Sequence, residues 1–454
     1  MGFNETKLLN SVENYRHGSK EKANMKAHRF SLLLAGFLSA ALALLSGCKY
    51  NVSTPLWDQP YKAPGTPQIT SVVPAGEAKP GLEGNLITIY GHNFIIPSSD
   101  TLTPDSTIVY FNTLQANIVS VDSNKIVARR PNLPVDTCTI KVSVHNAIVE
   151  PTIGPYKIDQ VLGQYGTPWQ NTVQLGGIAV NGSEYLYVME NTTNKYIHKV
   201  APPDGENITL TGGVTQGAPW GACIGPDNSV YIMSGTTRWI AKVVPVLSTA
   251  ATDSVQPKWV QLPKLARFGD CDHGGYLFTG GYKTDLYIVP LYASGTLSAS
   301  QYSVAGSYAA DSIFAVTVYN GYLYVASKSS TSPSGAKIWR HQLTSDSTLG
   351  SQELVLDMGS TAFANDPISG IAFSSAGDMY IATNSTDALL VDPGAGSDGT
   401  MVDYFYKGIV PQYISGIAYS KTSNYLYAIT GNSNTNQAWT VYRIDMGMTG
   451  GASF

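Results

Sequence analysis

The chain has 454 residues, of which 43% are hydrophobic and 13% charged, with a formal net charge of -4. The charged share is about half the roughly 25% of an average soluble protein, and the lack of a basic excess removes the electrostatic footprint needed for nucleic acid. Four cysteines exclude a disulfide scaffold, so stability has to come from hydrophobic cores, while 44 Gly and 28 Tyr supply turns and strand surfaces for a mostly β protein.

Residues Phe30 to Leu45 form an almost unbroken apolar run, preceded by Lys26 and Arg29 and followed by Ser46-Gly47-Cys48. A charged start, an apolar stretch shorter than the roughly 20 residues of a membrane helix, and small residues at its end predict a secretory signal and not a span. Leu45-Ser46-Gly47-Cys48 resembles the bacterial lipobox, which implies that residues 1–48 are a lipoprotein signal and that Cys48 is acylated, with Met25 as an alternative start. An ordinary signal peptide with a chance Cys is the other reading. Residues 49–65 contain Pro55, Pro60 and Pro64 and no strand alternation, and read as a tether. With Cys48 acylated, Cys138, Cys223 and Cys271 remain and allow one disulfide at most.

Residues 66–158 alternate apolar and polar positions in short runs between turn residues, the pattern of a β-sandwich. Ile87 and Ile89 share one face, as do Ile140, Val142 and Val144. The runs Pro67 to Pro74, Gly84 to Phe94, Val109 to Asn112 and Ile126 to Pro131, with a turn at Gly91 and Phe94 after it, resemble the IPT/TIG domain. That resemblance implies an immunoglobulin-like fold used as a spacer, with His92 and His145 as surface or turn residues.

From 159 to 454 the chain repeats itself. Tyr187, Tyr231, Phe278, Tyr324, Tyr380 and Tyr427 each stand in a short apolar strand, at spacings of 44, 47, 46, 56 and 47 residues. A period of that length built on strands predicts a propeller of six blades. Before each aromatic strand another opens at Gly177, Gly221, Gly269, Ala315, Gly370 or Gly416, and two positions on stand Ala179, Cys223, Cys271, Thr317, Ala372 and Ala418. Small side chains at one place in every copy suit the crowded innermost strand, which makes Cys223 and Cys271 buried fillers. The run Tyr187 to Ile197, with Asn194, resembles the NHL repeat. The sixth copy ends after Ile444 without a fourth strand, and the chain near Tyr156 to Leu162 is expected to lend one. The fold class is therefore all-β, an immunoglobulin-like IPT/TIG sandwich followed by a six-bladed NHL-like β-propeller.

Residues entering the innermost strands lie where inter-blade loops meet, and Trp220, Asp311, Phe314, Asp366, Gln412 and Tyr413 stand there, with Trp169 before the first blade. Aromatic faces stack on sugar rings and Asp and Gln bond hydroxyls, so Trp169, Trp220, Asp311, Asp366, Gln412 and Tyr413 are the glycan-binding candidates, Trp169 foremost because it has no counterpart, whereas Trp220 aligns with Phe268 and Phe314 and has a repeated core aromatic as its other reading. Asp270 breaks the pattern, standing where Ile178, Ala222, Val316, Ile371 and Ile417 stand elsewhere, with Asp272 and His273 after it. A local register shift with Asp270 bonded to backbone amides is one reading; the seed of a metal-dependent hydrolase is the other.

A lipobox, an IPT/TIG module and an NHL-like propeller in that order resemble lipoproteins of Bacteroidota glycan-utilisation systems. The resemblance implies a non-catalytic carbohydrate-binding protein without cofactor or metal, lipid-anchored in the outer membrane, at the cell surface in the first reading and on the periplasmic face in the other. Its expected partners are a glycan, membrane lipid, a TonB-dependent transporter and that transporter's substrate-capturing lipoprotein. A metal-dependent lactonase or lyase and a protein-interaction scaffold are the alternatives.

Overall fold

A computed structural model describes residues 65–452, apart from 96–106, 146, 167–168, 170–172, 192–194, 204–205, 211–216, 247–252, 282–284, 306–307, 309–310, 330–334, 345–347, 397–401 and 433–436. Cys48, the apolar signal, the tether up to Pro64 and Asn194 of the NHL-like run lie outside the described residues.

The first part is a sandwich of two sheets. One orders Gln68–Val73, Leu86–His92, Lys125–Arg129 and Ile118–Val121; the other orders Glu77–Ala78, Thr152–Ile158, Val135–Val144, Thr107–Phe111 and Leu114–Gln115. The alternation works as expected: Ile87, Ile89, Ile140, Val142 and Val144 are buried between the sheets, whereas Tyr90 faces out. Phe94 is buried in the same core. Gly91 is not the turn residue but lies within its strand opposite Ile69, and a Cβ there would come 1.9 Å from the Gln68 carbonyl oxygen. The turn falls at Asn93, whose φ is 60°. His92 and His145 are exposed.

The rest is a ring of six sheets, antiparallel except where Gly295–Thr296 adds a parallel fifth strand to Ser254–Gln261 of the second. Their innermost strands are Leu175–Val180, Pro219–Ile224, Phe268–Cys271, Asp311–Tyr319, Ile368–Phe373 and Ile414–Tyr419, each packed on the next and the sixth on the first. The repeated aromatics Tyr187, Tyr231, Phe278, Tyr324, Tyr380 and Tyr427 are all buried, filling the space between adjacent blades. The long spacing before Tyr380 arises from a nine-residue outer strand, Leu349–Asp357, followed by a 3-10 turn at Met358–Ser360. The fourth strand of the last blade is Leu162–Gln164, which pairs antiparallel with Gln437–Asp445. The strand expected near Tyr156 to Leu162 thus starts later, because Tyr156 belongs to the last strand of the sandwich.

Sandwich and ring share a polar seam. Arg129 reaches Asp403 at 3.0 Å and the Tyr404 carbonyl at 3.3 Å. Asn85 donates to the same carbonyl at 3.2 Å and accepts from the Tyr406 amide at 2.9 Å, while the Gly81 amide donates to the Tyr406 hydroxyl at 2.6 Å. Arg130 donates to the carbonyls of Lys79 and Asp159. Buried polar groups bonded in this way hold a single geometry, so the sandwich is docked on the outer edge of the fifth blade.

Candidate functional site

The inner strands leave a cavity of about 170 Å³ along the axis of the ring. Its walls are made of small residues because the strands nearly touch: a Cβ on Gly221 would lie 2.3 Å from the Arg267 carbonyl oxygen, and one on Gly177 2.7 Å from the Gly221 carbonyl carbon. In five blades the strand register shifts at or just ahead of the small residue, between Leu175 and Ile178 in the first and at Trp220, Phe314, Ser369 and Ser415 in the others. A bulge at that place re-aims one side chain per blade.

Trp220 uses its bulge to stand at the cavity wall beside Phe268, Ser369 and Ser415, and it remains 39% exposed. The absence of a side chain on Gly235 makes room for the ring, since a Cβ there would come 2.7 Å from it. The Arg267 guanidinium lies 4.9 Å from the ring centroid, a cation–π arrangement that keeps the indole upright. Arg267 donates to the Gly235 carbonyl at 3.4 Å, and its Nε is buried without a partner among the described residues. The Ser369 hydroxyl is committed to the Ile414 carbonyl at 2.6 Å.

The other candidates are dispersed. Trp169 is buried in the core between the first and last blades, where its indole N–H donates to the Tyr165 carbonyl at 3.2 Å and its ring meets His198 edge-on at 5.1 Å. Its lack of a counterpart in other blades thus reflects the seam that closes the ring, where the packing differs from that between other neighbours. Asp366 and Tyr413 come together around Ser385: the Tyr413 amide donates to the Ser385 carbonyl at 2.8 Å, and Ser385 bonds the Asp366 carboxyl. Burial raises the Asp366 pKa, the Ser385 bond works against it, and the neighbouring Asp387 adds to it. Asp311 accepts from the Ser327 hydroxyl at 3.0 Å, and Gln412 is exposed.

Asp270 stands in register, pairing with Phe278 as Ala222 pairs with Ile232, so no strand slip places it there. One carboxylate oxygen accepts from the Cys271 amide at 2.9 Å and the other from the Val318 amide of the next blade at 2.8 Å. The Val318 amide thus finds its acceptor across the gap between two inner strands, which gives the polar side chain in an apolar slot a bonding role. The axial cavity reaches Asp270, yet it lies deep in the ring, and burial raises its pKa against the pull of Lys421 and the two amides.

The opposite end of the axis is partly crossed by the C-terminal segment. The Gly450 amide donates to the Ser420 carbonyl and the Gly451 amide to the Phe373 carbonyl, both at 2.7 Å, and the Tyr419 hydroxyl donates to the Met448 carbonyl at 2.7 Å. Beside it a second cavity of about 170 Å³ is lined by Asn181, Asn228, Asp272, His273 and Lys421. Among the described residues, no group of three or more His, Cys, Asp or Glu side chains is placed to hold a metal ion.

Two of these residues were missed in the sequence for different reasons. Arg267 directly precedes Phe268, so the repeat register was a signal that could have placed it beside Trp220. Lys421 belongs to the sixth blade and approaches Asp270 of the third across the axis, which no sequence spacing reveals.

Residues 67–156 match the IPT/TIG domain family. No curated protein matches the chain. Among solved structures, a Bacteroides thetaiotaomicron protein of unknown function is 14% identical over 84% of this chain and 98% of its own, with a TM-score of 0.45. A catalytically inactive virginiamycin B lyase from Staphylococcus aureus, solved with quinupristin, is 12% identical over 75% and 99%, with a TM-score of 0.41. A quinonprotein alcohol dehydrogenase-like protein from Bacteroides thetaiotaomicron is 11% identical over 83% and 94%, with a TM-score of 0.35.

Proposed function

We propose that the protein is a non-catalytic carbohydrate-binding lipoprotein that captures a glycan at the end of the propeller axis where Trp220 stands. The observation that carries this reading is Trp220 itself, a large aromatic 39% exposed at the wall of the axial cavity and braced by Arg267. A flat ring held in one orientation offers a sugar a stacking face at small entropic cost, and the Arg267 donors beside it suit hydroxyl or carboxylate groups. An acylated Cys48 would tether the protein to the membrane, and the glycan would pass from it to a TonB-dependent transporter and its substrate-capturing lipoprotein.

The test is a glycan array with residues 65–454, followed by calorimetry on the best ligand. Trp220→Ala is expected to weaken binding by roughly tenfold, equivalent to the loss of about 1.4 kcal/mol of stacking. Trp169→Ala, a core truncation, is expected to lower the melting midpoint. Unchanged affinity in Trp220→Ala would sink the reading. Asp270, a carboxyl of raised pKa on the axial cavity, favours a second reading as a hydrolytic or lyase centre. Turnover lost specifically in Asp270→Asn would establish that one instead.

A further inference from the structure

The sulfurs of Cys223 and Cys271 lie 3.1 Å apart, on the inner strands of the second and third blades. Unbonded carbon atoms settle at roughly 3.5–4.0 Å, and sulfur is larger than carbon, so this separation is too short for two comfortably packed thiols. It is about 1 Å longer than the 2.03–2.05 Å of a disulfide, a gap that side-chain rotation can close. The strands themselves already run close together, because a Cβ on Gly221, two residues before Cys223, would come 2.3 Å from the carbonyl oxygen of Arg267, four residues before Cys271. The equivalent places in the other four blades carry Ala179, Thr317, Ala372 and Ala418, none of them a thiol. Cysteine in two adjacent copies of one repeat position is what an inter-blade link requires.

We infer that Cys223 and Cys271 form a disulfide that staples the second blade to the third at the wall of the axial cavity. The link forms by exchange: two thiols of this chain and one disulfide of an external thiol oxidant become one internal disulfide and two oxidant thiols, with two protons and two electrons passing to the oxidant. Both cysteines are buried in the folded ring, and burial raises both thiol pKa values, so the attacking thiolate is available mainly as the blades come together. Cys138 lies in the core of the sandwich and takes no part. The closed loop of 48 residues restricts the unfolded chain, and Asp270, next to Cys271, is held in its place between the strands.

The experiment uses the full chain, isolated with N-ethylmaleimide present from lysis, and in parallel unfolded in urea and refolded with reduced and oxidised glutathione. Peptide mapping without reductant is expected to give one cross-linked pair, Cys223 with Cys271, and a blocked Cys138. The oxidised form is expected to melt about 5 °C above the reduced form. In Cys223→Ala, which places in the second blade the residue that other blades already carry, both the cross-link and the difference in midpoint should vanish. Maleimide on both cysteines in both preparations, or a cross-link to Cys138, would overturn the inference.

Discussion

His341 shows how much a single side chain settles that its neighbours in sequence do not reveal. It is 2% exposed, accepts from or donates to the Tyr308 hydroxyl at 2.8 Å through Nε2, and meets the Gly350 carbonyl at 3.1 Å through Nδ1. A carbonyl can only accept, so Nδ1 carries the proton, and the Tyr308 hydroxyl donates to Nε2. Burial lowers the pKa below its ordinary 6.5, with the Gly350 bond pulling the other way. A depressed value for a base means that the unfolded chain holds more protons between 6.5 and the folded value, so stability is full above that window and falls as pH drops through it. His341→Gln is expected to flatten the slope of melting midpoint against pH between 7 and 5; equal slopes would refute this. Other residues were legible to differing degrees. The apolar slot of Asp270 marked it as odd, but its partner, the Val318 amide, is set by the approach of two strands 48 residues apart. Trp169 and Trp220 exchanged places relative to the sequence reading, because alignment with Phe268 identifies a shared position, whereas exposure depends on the bulge and on Gly235.

At the level of strands, the period did most of the work. Aromatics that recur every 44 to 56 residues cannot be buried within one blade, and all six lie between neighbours as the spacing required. What the period hides is how loops from one blade fasten to another. Lys199, in the third strand of the first blade, forms an ion pair at 2.9 Å with Asp253, which precedes the outer strand of the second, and both side chains are fully buried. The pair is well satisfied: Lys199 also donates to the Val246 carbonyl at 2.6 Å and lies 4.7 Å from the Tyr185 ring, and Asp253 accepts from the Tyr187 hydroxyl at 3.1 Å and the Val246 amide at 2.8 Å. Removing one partner strands a buried charge, so Lys199→Met is expected to destabilise by about 3–5 kcal/mol in denaturant unfolding. The double variant Lys199→Met with Asp253→Leu should recover much of that loss. A single variant within about 0.5 kcal/mol of the parent would show that the pair contributes nothing.

For the molecule as a whole, the order of sandwich and ring was readable from composition and period, but their docking was not. Asn85, Arg129 and Arg130 look like ordinary sandwich residues until the fifth blade brings Asp403, Tyr404 and Tyr406 against them. Ring closure was readable, because a sixth copy that lacks a fourth strand has to borrow one. It is reinforced by Glu184 of the first blade, whose carboxylate accepts from Ser420, Thr422, Ser423 and Tyr427 of the last. The borrowed strand brings the Val161 carbonyl to the Asp445 amide at 2.7 Å and the Tyr165 amide to the Val441 carbonyl at 2.9 Å, and it buries Val161. At about 1 kcal/mol for each ladder bond and about 1.5–3 kcal/mol for the buried valine, closure contributes on the order of 5 kcal/mol. Without it, the strand Gln437–Asp445 becomes an open edge. A fragment that starts at Gln160 is therefore expected to stay soluble and melt in one cooperative transition, while one that starts at Gly166 melts lower or aggregates. Both fragments lack the sandwich, so the exposed seam at Tyr406 is common to them and cancels in the comparison. Equal midpoints for the two would mean that the ring holds together through its other contacts and that the borrowed strand is dispensable.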